Sequence, residues 1–393
     1  MTKIFLKRGR EDSLLRKHPW IFSGAIMRTE GAPAEGDIVD VYSSEGQFLA
    51  RGHYQIGSIT VRVLAFEQCS IDCGWWTSML QKALEMRLAI GLAADSDTDC
   101  YRLVHGEGDN LPGLIIDIYG DTAVVQAHSV GMYNARHDIA CALRSVFGDR
   151  LAAVYDKSSQ TLPYKAFTGA EDGYLFGNRE LPAVVSENGN RFEIDWSVGQ
   201  KTGFFLDQRD NRQLVKHYSH NRTVLNTFSY TGGFSVYALA GGAKQVVSVD
   251  SSASAVGLAN RNVALNFGEH APHNGVVADT FDFFAGNDQI FDLIILDPPA
   301  FAKHHKVLGN ALKGYTRLNA KAISRIAPGG ILFTFSCSQA VSREAFRTAV
   351  FTAATLARRN VRILHQLTQP ADHPINIYHP EGEYLKGLVL YVE

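Results

Sequence analysis

The feature that most constrains the fold is a regular alternation of short apolar runs and helical segments after residue 186. Each apolar run is nearly uninterrupted, as expected of a strand that is covered on both faces of a parallel sheet. Five runs are the candidate strands: Thr223–Phe228, Gln245–Asp250, Gly275–Ala278, Leu293–Leu296 and Ile331–Ser336. Strands that alternate with helices predict an α/β fold with a doubly wound, Rossmann-like sheet.

The residues before this region predict two further domains. Residues 1–70 contain short β-branched runs separated by glycine turns, which indicate a small β-rich domain. Residues 71–185 open with an amphipathic helix and continue with strands and a second helix at about 133–147. In the first of these helices, four apolar residues recur at helical spacing: Trp76, Leu80, Leu84 and Leu88. We therefore expect a β-rich domain (1–70), a central α/β domain (71–185) and a Rossmann-like domain (186–393).

Composition excludes several classes of protein. The 393 residues carry a formal net charge of −2 and are 46% hydrophobic, which is ordinary for a globular chain. No apolar run approaches the roughly 20 residues that span a bilayer. The basic N-terminus lacks the apolar core of a signal peptide. Cys69 and Cys73 have no partners at zinc spacing, so we expect no metal site, no disulfide framework and a cytoplasmic protein.

The first strand of the Rossmann-like domain leads into a glycine turn, Gly232-Gly233, and then a helix. This arrangement favours close approach of a ligand to the backbone. The turn lacks the GxGxxG pattern of a pyrophosphate cradle, whereas S-adenosylmethionine carries no phosphate and needs only a looser turn. We therefore expect S-adenosylmethionine here, with Phe228 and Tyr230 of the turn beside it.

Two further strand ends carry carboxylates. Asp250 follows Gly232 by 18 residues, where a carboxylate can accept hydrogen bonds from both ribose hydroxyls. Asp279 ends the third strand, where it could accept the adenine amino group. The alternative interpretation is that both aspartates are only polar strand ends or helix caps.

The fourth strand ends in Asp297-Pro298-Pro299-Ala300. The two prolines fix the backbone and remove two amide donors, which predicts a rigid floor at the mouth of a pocket. Asp297 can reach the methionine end of the cofactor or a target base, with Pro298 beside the cofactor.

The fifth strand ends in Ser336-Cys337-Ser338, which places Cys337 at the same sheet edge as Asp297. A thiolate that adds to carbon 6 of a pyrimidine makes carbon 5 nucleophilic, so Cys337 predicts covalent catalysis. An ordinary thiol is only a few per cent ionised at neutral pH, so the protein has to assist, and Asp297 could do so by protonating the base. The alternative is that Cys337 is a small buried hydrophobic residue.

Several of these motifs together resemble the large-subunit ribosomal RNA methyltransferase I family, bacterial enzymes that make 5-methylcytosine in 23S RNA. The resemblance covers nearly the whole chain and rests on these segments: residues 18–24 (HPWIFSG), 201–212 (KTGFFLDQRDNR), 297–301 (DPPAF), 334–338 (TFSCS), 371–374 (ADHP) and 384–387 (YLKG). It implies an N-terminal PUA domain that binds RNA, a central domain and a Rossmann-like methyltransferase domain. It also implies that Gln208 and Arg209 approach the cofactor; without it, Asp207–Arg212 would be interpreted as a solvated charged turn.

The chain departs from related patterns at two places. Many cytosine C5 methyltransferases carry a second cysteine after the fourth-strand proline, but this chain has Pro299 and Ala300 there. The C5 proton must then leave to another group or to water. The segment Gly314–Asn319 also differs from the usual Gly-Tyr-Lys-Asp pattern, so the contact that this pattern makes in the family is not predicted here.

Five basic residues near the N-terminus predict a local surface for RNA phosphates, and we call them the basic segment: Lys7, Arg8, Arg10, Arg16 and Lys17. The net charge gives no sign of nucleic-acid binding, so any RNA surface has to be such a patch. The alternative is a solvated face over core aromatics, and we expect Trp20 and Phe22 to lie in the core.

Two other functions remain open on this sequence. The first is methylation of a guanine nitrogen in RNA on the same fold, which would need no thiol at position 337. The second is a non-catalytic RNA-binding or ribosome-assembly factor, which would not need to bind S-adenosylmethionine. In each case we expect an RNA partner, ribosomal RNA first, and no membrane association, and a homodimer is one oligomeric state that the sequence leaves open.

Overall fold

The computed structural model describes residues 2–93, 97–163, 169–301 and 308–393. The chain forms two compact units. The first unit comprises Met1–Asn188, Ile194–Leu206 and Ala371–Gly382, and the second comprises Gly189–Glu193, Asp207–Pro370 and Glu383–Glu393. The expected division into three domains stays a prediction, because the first unit contains two separate sheets.

The first sheet of the first unit has six strands in the order β2-β6-β5-β4-β1-β3. They are β1 (Thr2–Leu6), β2 (Trp20–Phe22), β3 (Ile26–Glu30), β4 (Ile38–Tyr42), β5 (Phe48–Tyr54) and β6 (Ile59–Ala65), with a short helix α1 (Asp12–Leu15) between β1 and β2. Apolar side chains such as Ile4, Val41 and Val61 are fully buried in its core. The β-rich character expected for residues 1–70 is confirmed.

The second sheet of this unit has five strands in the order β11-β10-β9-β8-β7. Its strands are β7 (Cys100–His105), β8 (Leu114–Tyr119), β9 (Thr122–Ala127), β10 (Ala153–Asp156) and β11 (Gly173–Phe176), with helices α2 (Cys73–Ala89), α3 (Val130–Asn134) and α4 (Arg136–Phe147). Trp76, Leu80 and Leu84 are buried, whereas Leu88 near the end of α2 is 43% exposed. The helix expected at about 133–147 is divided into two helices at Ala135. The first of them begins earlier than expected, at Val130, because Ser129 caps its N-terminus.

The second unit is built on a seven-stranded sheet in the order β16-β15-β14-β17-β18-β20-β19. The bounds are β14 (Thr223–Thr227), β15 (Gln245–Asp250), β16 (His273–Val277), β17 (Phe291–Leu296), β18 (Ile326–Ser336), β19 (Val361–Leu367) and β20 (Lys386–Val392). The five strands expected from sequence are parallel, and β19 and β20 add an antiparallel edge. Two further strands of the chain are β12 (Ala183–Glu187) and β13 (Asn190–Ile194). The Rossmann-like fold class is confirmed.

In the described part of this unit, the sheet is accompanied by the helices α5 (Arg209–Tyr218), α6 (Gly233–Ala240), α7 (Ala253–Phe267), α8 (Thr280–Gly286), α9 (Leu308–Ser324) and α10 (Arg343–Ala357). The strand order reverses direction between β14 and β17, and ligands of such sheets bind at the carboxyl ends of the strands near this point. No helix among the described ranges is long and apolar enough to cross a bilayer.

Candidate active site

The glycine turn after β14 has a backbone that few side chains could adopt. Gly232 has φ +77°, and a Cβ atom there would lie 2.8 Å from the Cβ of Ala259 on α7. Phe228 and Tyr230 also have positive φ, +54° and +44°, although neither is glycine. Such residues cost about 1–3 kcal/mol each and concentrate at ligand sites. The turn leads directly into α6 at Gly233, as the sequence predicts.

Asp250 ties this turn to the end of β15. Its Oδ2 accepts a hydrogen bond from Tyr230 N at 2.9 Å, and its Oδ1 accepts one from Ser252 N at 2.9 Å. Each carboxylate oxygen has further lone pairs, so these bonds leave acceptor capacity for ribose hydroxyls. Asp250 is only partly buried, which keeps it reachable by a ligand.

Asp279 is exposed and caps α8, with Oδ1 accepting hydrogen bonds from Phe281 N at 2.7 Å and Asp282 N at 3.3 Å. The alternative interpretation, a helix cap, therefore describes what this carboxylate does within the protein. Oδ2 takes no part in the cap, and its contact with adenine stays a prediction.

The site fits a polar cofactor because buried polar atoms are left over within it. Among the described residues, Ser229 Oγ in the glycine turn and Asp207 Oδ1 are buried and have no hydrogen-bond partner. Tyr384 OH donates to the other oxygen, Asp207 Oδ2, at 2.8 Å. A ligand such as S-adenosylmethionine, with its amine, carboxylate and ribose hydroxyls, could supply the missing partners.

Asp297 follows β17 and lies among charged and polar side chains of the second unit. Burial and the nearby Asp207 carboxylate raise its pKa to about 7, although a hydrogen bond from Gln208 and the Arg212 charge act in the opposite direction. Gln208 is itself held by Asn211, whose Nδ2 donates to Gln208 Oε1 at 2.6 Å. The carboxyl group of Asp297 can therefore hold or release a proton near neutral pH.

Gln208 and Arg209 are 3% and 4% exposed. The interpretation of Asp207–Arg212 as a solvated turn is wrong, because α5 begins at Arg209 and this segment is packed inside the second unit. Pro298 is buried beside Asp297, in line with a rigid floor. Gln208 orients the carboxylate of Asp297, and its direct contact with a cofactor stays a prediction.

Cys337 lies immediately after β18 and is partly exposed. Strands β17 and β18 are parallel neighbours with Leu296 opposite Thr334, so Asp297 and Cys337 extend from the same sheet edge, as expected. The interpretation of Cys337 as a fully buried hydrophobic residue does not fit its exposure.

Lys386 is a functional candidate that the sequence analysis did not identify. It is buried at the start of β20, where its Nζ donates hydrogen bonds to Ser338 O at 2.7 Å and Val341 O at 2.8 Å. Burial lowers its pKa to about 8, and the negative charge of a Cys337 thiolate opposes that decrease. By reciprocity, a Lys386 cation favours the thiolate form of Cys337.

Tyr315 anchors the turn that carries Cys337. Ser336 Oγ donates to the buried Tyr315 hydroxyl at 2.9 Å, and that hydroxyl shares a hydrogen bond with Ser338 Oγ at 3.1 Å. The Tyr315 ring also packs on Phe301, with ring centroids 4.7 Å apart. The residues on both sides of Cys337 are thus fixed, although Tyr315 belongs to a segment that departs from the usual family pattern.

The basic segment lies in the first unit, and all five of its side chains are exposed. Lys7 Nζ donates to Gly24 O at 3.0 Å, and Lys17 Nζ lies 4.4 Å from the centroid of the Phe66 ring. Trp20 is only partly buried and Phe22 is 47% exposed, so their predicted place in the core is wrong. Strand β2, which carries both rings, is an edge strand of its sheet and leaves them accessible.

Comparison with protein families gives two matches along the chain. The family model described as S-adenosylmethionine-dependent methyltransferase matches residues 168–375, and the model of a PUA-like domain matches residues 4–66. The ribosomal RNA large subunit methyltransferase I of Aeromonas salmonicida is 42% identical over 98% of both chains. The chain belongs to the large-subunit ribosomal RNA methyltransferase I family. Its counterpart from Citrobacter koseri is 40% identical over 100% of this chain and 99% of its own length.

Solved structures agree on the fold of this family member. A Streptococcus mutans protein assigned as a SAM-dependent methyltransferase superposes with a TM-score of 0.84, at 24% identity over the full length of both chains. A second methyltransferase structure, complexed with S-adenosylhomocysteine, has a TM-score of 0.85 at 24% identity, again over both full chains. The family models and the relatives at about 40% identity confirm the predicted family, the PUA-like domain and the S-adenosylmethionine cofactor.

Proposed function

We propose that this family member methylates carbon 5 of a cytosine in large-subunit ribosomal RNA, with Cys337 as a covalent nucleophile. The observation that carries the proposal is the placement of Cys337. It is partly exposed at the cofactor edge of the sheet, beside the strand that carries Asp297, and within electrostatic reach of Lys386. Methylation of an amine would require no thiol at this position.

The chemistry needs a nucleophile because carbon 5 of cytosine reacts poorly with electrophiles. The Cys337 thiolate forms a bond to carbon 6, and the electron pair displaced from the 5,6 double bond makes carbon 5 nucleophilic. Bound S-adenosylmethionine supplies the methyl group that carbon 5 gains. Carbon 5 then loses its proton to a base, the double bond returns, and the carbon–sulfur bond breaks to release the thiolate.

Asp297 suits the role of an acid in the addition step. Because its pKa is raised to about 7, a substantial fraction is neutral at physiological pH and can donate a proton to nitrogen 3 of the ring. That proton neutralises the charge that develops as sulfur adds to carbon 6, and nitrogen 3 returns it to the Asp297 carboxylate when the carbon–sulfur bond breaks. Gln208 keeps the carboxyl group oriented.

The base that removes the C5 proton is not a cysteine beside the fourth-strand prolines, since positions 299 and 300 are Pro299 and Ala300. Another side chain or a water molecule therefore accepts the proton. Lys386 is not the first choice for this role, because its Nζ already donates to two backbone carbonyls.

Two findings support ribosomal RNA as the substrate. The relatives at about 40% identity are named as ribosomal RNA large subunit methyltransferases, and residues 4–66 match a PUA-like domain. Because carbon 6 of a stacked cytosine is inaccessible to a sulfur in the protein, the target nucleotide has to be single-stranded or flipped out. The exposed basic segment is the candidate surface for the neighbouring phosphates.

The experiment that tests this function is nucleoside mass spectrometry of ribosomal RNA from a deletion strain, complemented with wild type or Cys337→Ala. We expect one 5-methylcytosine of the large subunit to disappear in the deletion strain, to return with wild type and to stay absent with the variant. Loss of a methylated guanine instead would establish the N-methylation alternative. An unchanged modification pattern would favour the alternative of a non-catalytic RNA-binding or ribosome-assembly factor.

A further inference from the structure

His379, in the segment Ala371–Gly382 of the first unit, is a buried imidazole without hydrogen bonds. It is 3% exposed, and neither Nδ1 nor Nε2 has a hydrogen-bond partner among the described residues. A neutral imidazole presents one donor and one acceptor, and leaving a buried polar group without partners destabilises the folded protein. Such an atom in a folded protein indicates a missing partner, either a water molecule or an ion.

The groups around His379 are those that bind metal ions. One donor atom each from His18, His379 and Glu381 lie within 4.8 Å of one another. The distance from His379 Nε2 to Glu381 Oε2 is 3.8 Å. Two ligands on a tetrahedral Zn²⁺ are about 3.3 Å apart at bond lengths near 2.0–2.1 Å. The Glu381 side chain is 55% exposed and can rotate to close the remaining gap.

His18 is held through one ring nitrogen by the backbone of Trp20. Its Nδ1 lies 3.2 Å from both the backbone nitrogen and the carbonyl oxygen of Trp20, two residues further along the chain. Nδ1 can accept from the amide or donate to the carbonyl, and when it donates, the Nε2 lone pair is available to a metal. The Trp20 ring packs against His379 with a centroid distance of 4.3 Å and covers one side of the cluster.

The charge around the cluster is compatible with a cation. Arg62 is the nearby positive charge, but it is paired with Glu107 at 3.0 Å and also donates to Gln55 at 2.9 Å. Glu381 then supplies the negative charge that faces the two imidazoles.

We propose that His18, His379 and Glu381 form a binding site for a divalent transition metal of the Zn²⁺ class, with a water molecule as the fourth ligand. Two imidazoles and one carboxylate match the ligand preferences of Zn²⁺. The ion would join the loop before β2 to the segment 371–382, and it would stabilise the folded chain by binding only the folded form. Since His18 precedes His379 and Glu381 by more than 350 residues, no spacing motif reveals the site.

The test uses the full-length, tag-free protein after chelator treatment and dialysis. Zn²⁺ is titrated by calorimetry, and Co²⁺ serves as a spectroscopic probe of tetrahedral nitrogen and oxygen coordination. Because the sulfurs of Cys73 and Cys141 lie 3.1 Å apart and could bind the same ions, all samples carry Cys73→Ser and Cys141→Ser. His137→Ala, at an exposed histidine of α4, is the matched control.

We expect one equivalent of Zn²⁺ in the parent and in His137→Ala, with a rise in the unfolding temperature. Affinity should fall at least tenfold in His18→Ala and in Glu381→Gln, and the tetrahedral Co²⁺ bands should be lost in His379→Ala. Glu381→Gln removes only an exposed charge, so it keeps the test valid if a histidine variant fails to fold. The proposal is overturned if the parent binds no Zn²⁺, or if Glu381→Gln and His18→Ala bind it as tightly as the parent.

Discussion

The carboxyl edge of the seven-stranded sheet and the basic segment of the first unit present their functional candidates in opposite ways. At the sheet edge, Gln208 and Lys386 are 3% and 4% exposed. Gln208 accepts a hydrogen bond from Asn211, and Lys386 donates one to the Ser338 carbonyl. In the basic segment, all five side chains are exposed, and Lys7 and Lys17 make single contacts with the Gly24 carbonyl and the Phe66 ring.

This difference teaches what each region can contribute. Polar groups buried in a low dielectric interact strongly and hold one geometry, as the positioning of a reacting base requires. Exposed cations contribute modest, salt-screened attraction that adds up over several phosphates. Single substitutions should therefore have large effects at the sheet edge and small ones in the basic segment.

The largest of these effects is expected for Asp297→Asn. The amide cannot donate an acidic proton to the ring, so kcat should fall by about 10²- to 10⁴-fold, the usual contribution of a general acid. In the wild type, the rate limb that requires protonated Asp297 should decline as pH rises through about 7. Single-turnover methylation of RNA across pH 5.5–9 measures both effects.

Thermal unfolding of the same variant is the control for this prediction. The folded-state pKa of Asp297 lies above the ordinary value of 3.8, so protonation favours folding. That contribution is present at low pH and is lost as pH rises through about 7, at a cost of up to about 4 kcal/mol. Asp297→Asn should therefore be more stable than wild type at pH 8. A variant less stable than wild type at pH 8 would contradict the raised pKa of Asp297, whereas a folded variant with near wild-type kcat would contradict the acid role.

A smaller loss is expected for Lys386→Met, because Cys337 retains its position but loses a nearby cation. At neutral pH, kcat should fall by roughly ten- to a hundredfold, since each 1.4 kcal/mol of lost thiolate stabilisation is a factor of ten. The rate should recover partly as pH is raised, because more thiol ionises. The pH–rate profile is compared with that of Lys313→Met, an exposed lysine of α9. A uniformly lower rate with an unshifted profile would assign Lys386 a structural role only.

The two strand-end aspartates give the next smaller effect and can be separated from each other. Asp250→Ala should weaken S-adenosylmethionine binding by about 1–3 kcal/mol, because ribose hydroxyls lose their acceptor. Asp279→Asn should keep the cap of α8, since asparagine caps helices as well as aspartate does. Calorimetric titration of the cofactor decides both assignments, and unchanged affinity in Asp250→Ala would remove Asp250 from the site.

The smallest effect per residue is expected in the basic segment. Reversing Arg8 and Arg10 to glutamate should weaken RNA binding by about tenfold at low salt, and the salt dependence of the affinity should become shallower. The matched control is Arg347→Glu, at an exposed arginine of α10 in the second unit. Equal RNA affinity of the double variant and wild type would place the phosphate contacts elsewhere.

The five parallel strands could be predicted from sequence because strands buried on both faces carry nearly continuous apolar residues. The edge strand β19 has exposed positions such as Ile363 and Leu364, so its pattern is weaker. Lys386 could not be identified, because its role depends on β20 pairing with β18, which places Ser336 opposite Lys386. The residues around Gln208 are mostly charged and indicated a solvated turn, and only the family resemblance predicted that Gln208 approaches the cofactor.

The central claim is that the Cys337 sulfur bonds to carbon 6 of a cytosine in RNA. RNA that contains 5-fluorocytosine tests it directly, because fluorine at carbon 5 cannot leave as a proton and the carbon–sulfur bond then persists. With S-adenosylmethionine present, wild type should give a denaturant-stable protein–RNA adduct whose cross-linked peptide contains Cys337, and Cys337→Ala should give none. Methylation of ordinary RNA by Cys337→Ala at near wild-type rate would contradict the account.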